Sequence, residues 1–277
     1  MCRWLAYSGS PTLLSHVLYT PMQSMIDQSR NAKLGAETTN GDGFGIGWYD
    51  AGPTSAPGLF RSTEPAWNDQ NLRELADHVT APLFFAHLRA AIGSAVQQTN
   101  CHPFRHGDWL WMHNGFIDGY TTIKRDLLFA VDPSLFPAIA GTTDSEALFY
   151  TALTLGLEQD PPAAVARTVG LVERLGRARG VRDPFQGTIA TTDGTTLWVF
   201  RYSSAGQSRS LFFTRTVPEI RALYPGREIL REASEDTRLV VSEPIGDLPG
   251  AWIEMPESSY AVVREGEDLL LGFNPRP

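Results

Sequence analysis

Met1-Cys2-Arg3-Trp4-Leu5-Ala6-Tyr7-Ser8 opens the chain, and its reading governs everything that follows. Arg3 to Ser8 reads as a short buried strand that begins at the terminus itself. Methionine followed by a small residue is the usual substrate for methionine removal, so Met1 is expected to be lost and Cys2 to become the first residue. A terminal cysteine carries a nucleophile and a base on one residue. Its free α-amine has a pKa of about 7.7–8.0, so a useful fraction is neutral near pH 7 and can accept the thiol proton. Taken alone, Cys2 reads more readily as a small buried residue in a terminal strand.

Three further stretches bear on that choice. His87-Leu88-Arg89-Ala90-Ala91 closes an apolar run expected to be a strand from Leu83 to Ala91, with His87 and Arg89 on one face. An arginine in such a run needs an anion, either one of the chain's own carboxylates or the carboxylate of a substrate held bidentately. Trp111-Met112-His113-Asn114-Gly115 is an apolar strand running into an Asn-Gly turn signal. The Asn114 amide and the Gly115 N–H would suit a developing oxyanion, or the pair would simply close a hairpin. Gly141-Thr142-Thr143-Asp144-Ser145-Glu146 carries a capping-box signature that places Asp144 in a first helical turn. There the carboxylate would serve the helix dipole or pair with a substrate ammonium. Together the four stretches describe a site for a γ-glutamyl group. Cys2 attacks, Asn114 and Gly115 receive the oxyanion, and Arg89 and Asp144 match an amino acid's carboxylate and ammonium.

The rest of the chain narrows the setting. Of its 277 residues, 42% are hydrophobic and 19% charged, ordinary for a soluble globular protein. A net charge of -8 argues against nucleic-acid and anionic-membrane partners. The longest apolar run is broken by His87 and Arg89, so no segment is expected to span a bilayer, and no secretory signal is evident. Two cysteines, Cys2 and Cys101, cannot build a disulfide framework, and a cytoplasmic location is expected. His102, His106 and His113 with Cys101 match no zinc spacing, so neither metal nor cofactor is expected. Helices are expected at Thr12–Tyr19, Asn68–Val79, Thr143–Glu158 and Pro161–Arg179, a strand at Phe44–Tyr49, and a surface loop at Gly52–Gly58. Short strands follow Gln186, two of them joined by Asp193-Gly194. This order suits two stacked sheets with helices outside, in one domain spanning 1–277.

Met1-Cys2-Arg3, Asn40-Gly41-Asp42-Gly43-Phe44-Gly45-Ile46-Gly47-Trp48, His87-Leu88-Arg89, His113-Asn114-Gly115 and Thr143-Asp144-Ser145-Glu146 resemble, in order, the motifs of class-II glutamine amidotransferases. The resemblance implies an α+β fold, the four-layer αββα sandwich of N-terminal-nucleophile hydrolases, with two stacked, mainly antiparallel sheets. By matching position it makes Cys2 the nucleophile, Asn114 and Gly115 the oxyanion hole, and Arg89 and Asp144 the glutamyl clamp, with His87 and His113 among the substrate-binding motifs. Gln28-Ser29, Pro65-Ala66-Trp67-Asn68 and Asn100-Cys101-His102-Pro103-Phe104 are similar to a stand-alone branch. That branch includes the γ-glutamyl hydrolase of ergothioneine synthesis and the amidotransferase-like subunit of the fungal glutathione-degrading complex. On that likeness Asn100 to Phe104 forms a pocket wall. Glutamine-dependent synthases of the class often continue from the arginine with Trp-Ala-Thr-His-Gly, whereas this chain has Ala90-Ala91-Ile92-Gly93. The missing threonine shifts the expectation from free glutamine toward other small-molecule γ-glutamyl amides, peptides or thiol conjugates, hydrolysed through a thioester. The alternatives are a glutaminase subunit passing ammonia to a synthase partner and a catalytically silent scaffold; a peptidase is the other candidate partner protein.

Overall fold

Alternation of side chains along a strand sorts the opening residues between two cores. The computed structural model describes residues 2–34, 38–50, 55–91, 93–226, 230, 233–264 and 267–276. In it β1 (Arg3–Leu13) turns Leu5 and Tyr7 to one face and Trp4 and Ala6 to the other. β1 pairs antiparallel with β4 (Thr80–Leu88) and β10 (Arg238–Val241). β2 (Phe44–Tyr49) and β3 (Gly58–Ser62) extend the sheet beyond β4, and β9 (Phe212–Thr214) and β11 (Trp252–Glu254) extend it beyond β10, giving the order β11-β9-β10-β1-β4-β2-β3. The second sheet is formed by β5 (Phe104–His106), β6 (Trp109–Ile117), β7 (Phe185–Thr192), β8 (Leu197–Ser203), β12 (Ser259–Arg264) and β13 (Glu267–Gly272), in the order β13-β12-β8-β7-β6-β5. Every pairing described is antiparallel.

Trp4, Ala6, Phe85, Leu110, Met112, Ala190, Val199 and Val240 fill the space between the sheets. The outer face of the first sheet is covered by α1 (Leu14–Leu18), α2 (Met25–Arg30) and α3 (Gln70–His78) through Leu14, Leu18, Met25, Leu72 and Ala76. The outer face of the second is covered by α4 (Tyr120–Phe129), α5 (Asp144–Thr154) and α6 (Pro161–Ala178) through Ile123, Leu148, Phe149, Val165 and Val169. The result is the expected α+β sandwich of four layers.

Several local expectations change. The first helix is shorter than Thr12–Tyr19, because Thr12 and Leu13 stay paired with Ala81 and Thr80. The strand expected to reach Ala91 ends at Leu88, so Arg89 is not a strand-face neighbour of His87 but the first residue beyond it. Asn114-Gly115 makes no turn. Strand β6 runs straight through both residues because β7 supplies a partner for each position from Leu110 to Ile117. The expected capping box at α5 forms only by half. Thr143 Oγ1 accepts Glu146 N (3.2 Å), but the Glu146 carboxylate turns to Ala140 N (3.0 Å) and Gly141 N (2.6 Å). Of the loop expected at Gly52–Gly58, residues 52–54 lie outside the described residues, and Gly58 opens β3.

Glycines on β2 set how closely the loop before β5 approaches the first sheet. Phe44 and Ile46 face the helices, whereas Gly45 and Gly47 face the second sheet. A Cβ at Gly45 would lie 2.2 Å from His102 O, and one at Gly47 would lie 2.8 Å from a Leu110 methyl and 2.9 Å from Pro103 Cγ. This close approach stacks the His102 ring on His87, centroids 4.2 Å apart, with Phe104 tilted against His102 at 4.5 Å. Burial, reinforced by the Arg89 charge, holds His87 neutral down to about 3, and burial with the neighbouring His87 lowers His102 as well.

Two outcomes are expected. Gly45→Ala forces backbone apart from backbone and should destabilise the chain by about 1–3 kcal/mol in denaturant titration. For His87, the unfolded imidazole takes a proton near its ordinary value of 6.5, while the folded one resists until about 3. Its contribution is therefore intact above 6.5 and is lost as pH falls toward 3. Between pH 7 and pH 5 the wild-type chain should lose about 2 kcal/mol that His87→Phe retains, read from urea midpoints at both pH values.

Candidate active site

The register of β1 on β4, with Arg3 opposite Leu88, brings Cys2 against the residues that follow β4. Cys2 Sγ lies 3.4 Å from Ala90 N, which donates to it, and 3.5 Å from Ala90 O. The Cys2 carbonyl accepts two donors, Asn114 Nδ2 at 3.0 Å and Arg3 Nη1 at 3.1 Å. Burial pushes the thiol above its ordinary pKa, and the Ala90 N–H and the charges of Arg89 and Arg3 pull against that rise.

Arg89 is buried at 3% exposure. Its backbone is clasped by the turn before β2: Arg89 N donates to Gly43 O (2.8 Å), Asp42 N donates to Arg89 O (3.0 Å), and Ala91 N donates to Asp42 Oδ2 (2.7 Å). The guanidinium donates through Nη1 to Asp42 O (3.3 Å) and through Nη2 to Ser94 Oγ (2.8 Å) and Ala95 O (2.9 Å). All of these acceptors are neutral oxygens.

Asn114 faces the space between the sheets, opposite Thr188, whose Oγ1 accepts Trp4 Nε1 (3.0 Å). An amide nitrogen has two hydrogens. One serves Cys2 O, and none of the hydrogen bonds among the described residues uses the second. Ile117 N donates away from β7, to Asp144 Oδ2 (2.9 Å). N–H groups repeat direction every second residue, so the Gly115 N–H points to that same edge of β6. β5 pairs with β6 only between Trp109 and Trp111, so it does not cover that edge at Gly115. The other Asp144 oxygen accepts Ser145 N (2.8 Å), and the carboxylate thus sits at the positive end of α5, two residues along the edge from Gly115.

The two motif histidines stand behind this arrangement. His113 projects from the opposite face of β6 to Asn114, toward the helices, where Nδ1 meets Ser145 Oγ at 2.8 Å. Burial lowers its pKa, and the nearby Asp144 works in the other direction. His87 lies between the sheets on His102. His87 and His113 are each only 1% exposed.

Sequence reading missed Arg3, Asp42 and Glu243. Arg3, gripping Cys2 O, is itself held by the buried Glu243, with Nε and Nη2 each 3.1 Å from Oε2. The same carboxylate accepts Lys33 N and Leu34 N (2.9 Å each), and Arg3 Nη2 also bonds Leu34 O. A charged residue inside a buried terminal strand was the available signal; its partner, distant in sequence, gave none.

Known proteins are similar to this chain in sequence and fold. A family profile described as class-II glutamine amidotransferases matches residues 11–276. The probable glutamine amidotransferase DUG3 of Saccharomyces cerevisiae is 33% identical over 298 residues, covering 98% of this chain and 84% of its own length. The gamma-glutamyl-hercynylcysteine sulfoxide hydrolase of Mycolicibacterium smegmatis is 27% identical, covering 96% of each. Among solved structures, a glutamine aminotransferase class-II domain protein from Silicibacter pomeroyi superposes with a TM-score of 0.76 and 31% identity over the whole of both chains. The match of profile and relatives across nearly the full length means that the chain belongs to the class-II glutamine amidotransferase family.

Proposed function

We propose that the chain hydrolyses a γ-glutamyl amide through a γ-glutamyl thioester on Cys2. The observation that carries the reading is convergence: the Cys2 thiol, the buried Arg89, the Asn114 amide and the Asp144 carboxylate come from four separate stretches and meet at one end of the paired central strands. Removal of Met1 frees the Cys2 α-amine, which takes the thiol proton. The sulfur attacks the δ-carbonyl while Asn114 Nδ2 and Gly115 N–H stabilise the oxyanion. The C–N bond breaks, the amine departs with the proton carried by the α-amine, and water activated by the same group releases glutamate and restores the thiol. Arg89 receives the substrate's α-carboxylate and Asp144 its α-ammonium.

A relative named for hydrolysing gamma-glutamyl-hercynylcysteine sulfoxide favours an amine leaving group from a γ-glutamyl thiol conjugate or peptide over ammonia. We place the enzyme in the reducing cytoplasm, where its thiol survives, and we take 1–277 as one amidotransferase-type domain, since both sheets contribute to the site. A synthase or peptidase is the fitting class of protein partner if one exists.

Intact-protein mass after incubation with 6-diazo-5-oxo-L-norleucine tests the reading. The expected result is a chain lacking Met1 that carries one adduct, on Cys2. Cys2→Ala should take no adduct and lose at least about a thousandfold in γ-glutamyl hydrolysis. Arg89→Lys should raise KM about tenfold or more, because a point charge replaces the planar fork. A Cys2→Ala protein with wild-type activity would sink the proposal.

A further inference from the structure

Asn100 opens the stretch that runs to Phe104 and is fully buried, at 0% exposure. Its side chain faces two separate parts of the chain. Nδ2 donates to Ala95 O (3.0 Å) and to Thr142 Oγ1 (3.1 Å). Oδ1 accepts Thr142 N (2.8 Å) and Gln97 Nε2 (3.2 Å). Ala95 O is also where Arg89 Nη2 ends, and Thr142 stands immediately before the Thr143 cap of α5, two residues from Asp144. One amide therefore spans from the acceptor that fixes the guanidinium to the backbone that launches the carboxylate.

The surroundings keep this link short and rigid. Gly141 leaves room for it, since a Cβ there would lie 2.5 Å from Asn100 Oδ1 and 2.8 Å from Glu146 Oε2. Glu146 secures the far side by accepting Ala140 N and Gly141 N. Both hydrogens of the Asn100 amide are used and its oxygen accepts twice, and a buried network satisfied in this way holds one geometry.

We infer that Asn100 is a positioning residue that sets the separation of Arg89 and Asp144, and through it the selectivity for an L-configured amino-acid group. The inference rests on the proposed γ-glutamyl reading of the site. The α-carbon of a γ-glutamyl group carries the carboxylate, the ammonium and the arm that ends at the δ-carbonyl. Three fixed partners, Arg89, Asp144 and the Cys2 thiol, distinguish the L from the D arrangement only if the first two keep their distance. Asn100 bonds neither Cys2 nor Asn114, so loosening it should weaken binding and handedness more than the attack itself.

Kinetics with L- and D-γ-glutamyl-p-nitroanilide test this on the Met1-free chain. Asn100→Ala should raise KM for the L isomer about tenfold, leave kcat within about threefold, and cut the L-over-D preference about tenfold. Thr142→Ala removes one of the four hydrogen bonds at an exposed position and should shift the same quantities in the same direction by less. It serves as the reporter if Asn100→Ala does not fold. Wild-type turnover with unchanged KM and unchanged L-over-D preference in the folded variant would overturn the inference alone. A wild-type chain that turns over neither isomer and takes no diazo-ketone adduct would overturn the γ-glutamyl reading and this role with it.

Discussion

The hydrogen bond from Asn114 Nδ2 to the Cys2 carbonyl is the contact on which the site depends, because it joins the two sheets at Cys2. β1 belongs to one sheet and β6 to the other, and most of what lies between them is apolar and non-directional. Packing of that kind tolerates small slips; a buried amide on a half-buried carbonyl does not. Its net contribution is only about 1 kcal/mol, but separating the partners would strand both at a cost of about 1–3 kcal/mol. Thr188, opposite Asn114 in the β6–β7 register, repeats the device one step away by accepting the Trp4 indole. A slip of β6 by one residue would exchange the faces of Asn114 and His113 and remove the donor from the Cys2 carbonyl.

Missing side chains shape the same region. Gly115 stands opposite Gly187, and the ring of His113 lies over both: a Cβ on Gly187 would be 2.4 Å from His113 Nε2, and one on Gly115 would be 2.8 Å from it. The imidazole thus fills the space that two absent side chains leave, and its other nitrogen reaches Ser145 at the start of α5. Asp144 is consequently fixed from both sides, by Ile117 N on the strand and by its neighbour's bond to His113. An exposed aspartate at a helix start would sample several rotamers; this one has little freedom to do so.

Much of this was legible from the chain alone, and the failures have a common cause. The alternation and turn chemistry of Phe44–Tyr49 and of the two strands flanking Asp193-Gly194 are local, and they appear where expected. Thr143 caps α5 and leaves Asp144 in the first turn, again a local matter. Asn114-Gly115 carries an equally strong local signal for a turn, yet β7 overrides it by pairing along its whole length, and sheet pairing outweighs dipeptide preference. Arg89 looked like a strand residue because its neighbours are apolar; its actual place depends on Asp42 and Gly43, far behind it in sequence. Arg3 needed Glu243, and Asn100 needed Thr142. No window of the sequence contains either pair.

The chemistry then turns on where a base can come from. Burial raises the Cys2 thiol, so a thiolate does not form of its own accord at neutral pH, although Arg89 and Arg3 ease its formation. The imidazoles named by the motifs do not fill the gap: His113 lies on the far face of β6, and His87 is held neutral against His102 with its ring packed between the sheets. On the proposed reading, the base must travel with the nucleophile, as the α-amine of the same residue. While Met1 is attached, that nitrogen is an amide and cannot accept a proton. On the same proposed reading, the fold holds the oxyanion donors and the charged clamp in place from the outset, while reactivity waits on the cleavage of one peptide bond at its edge.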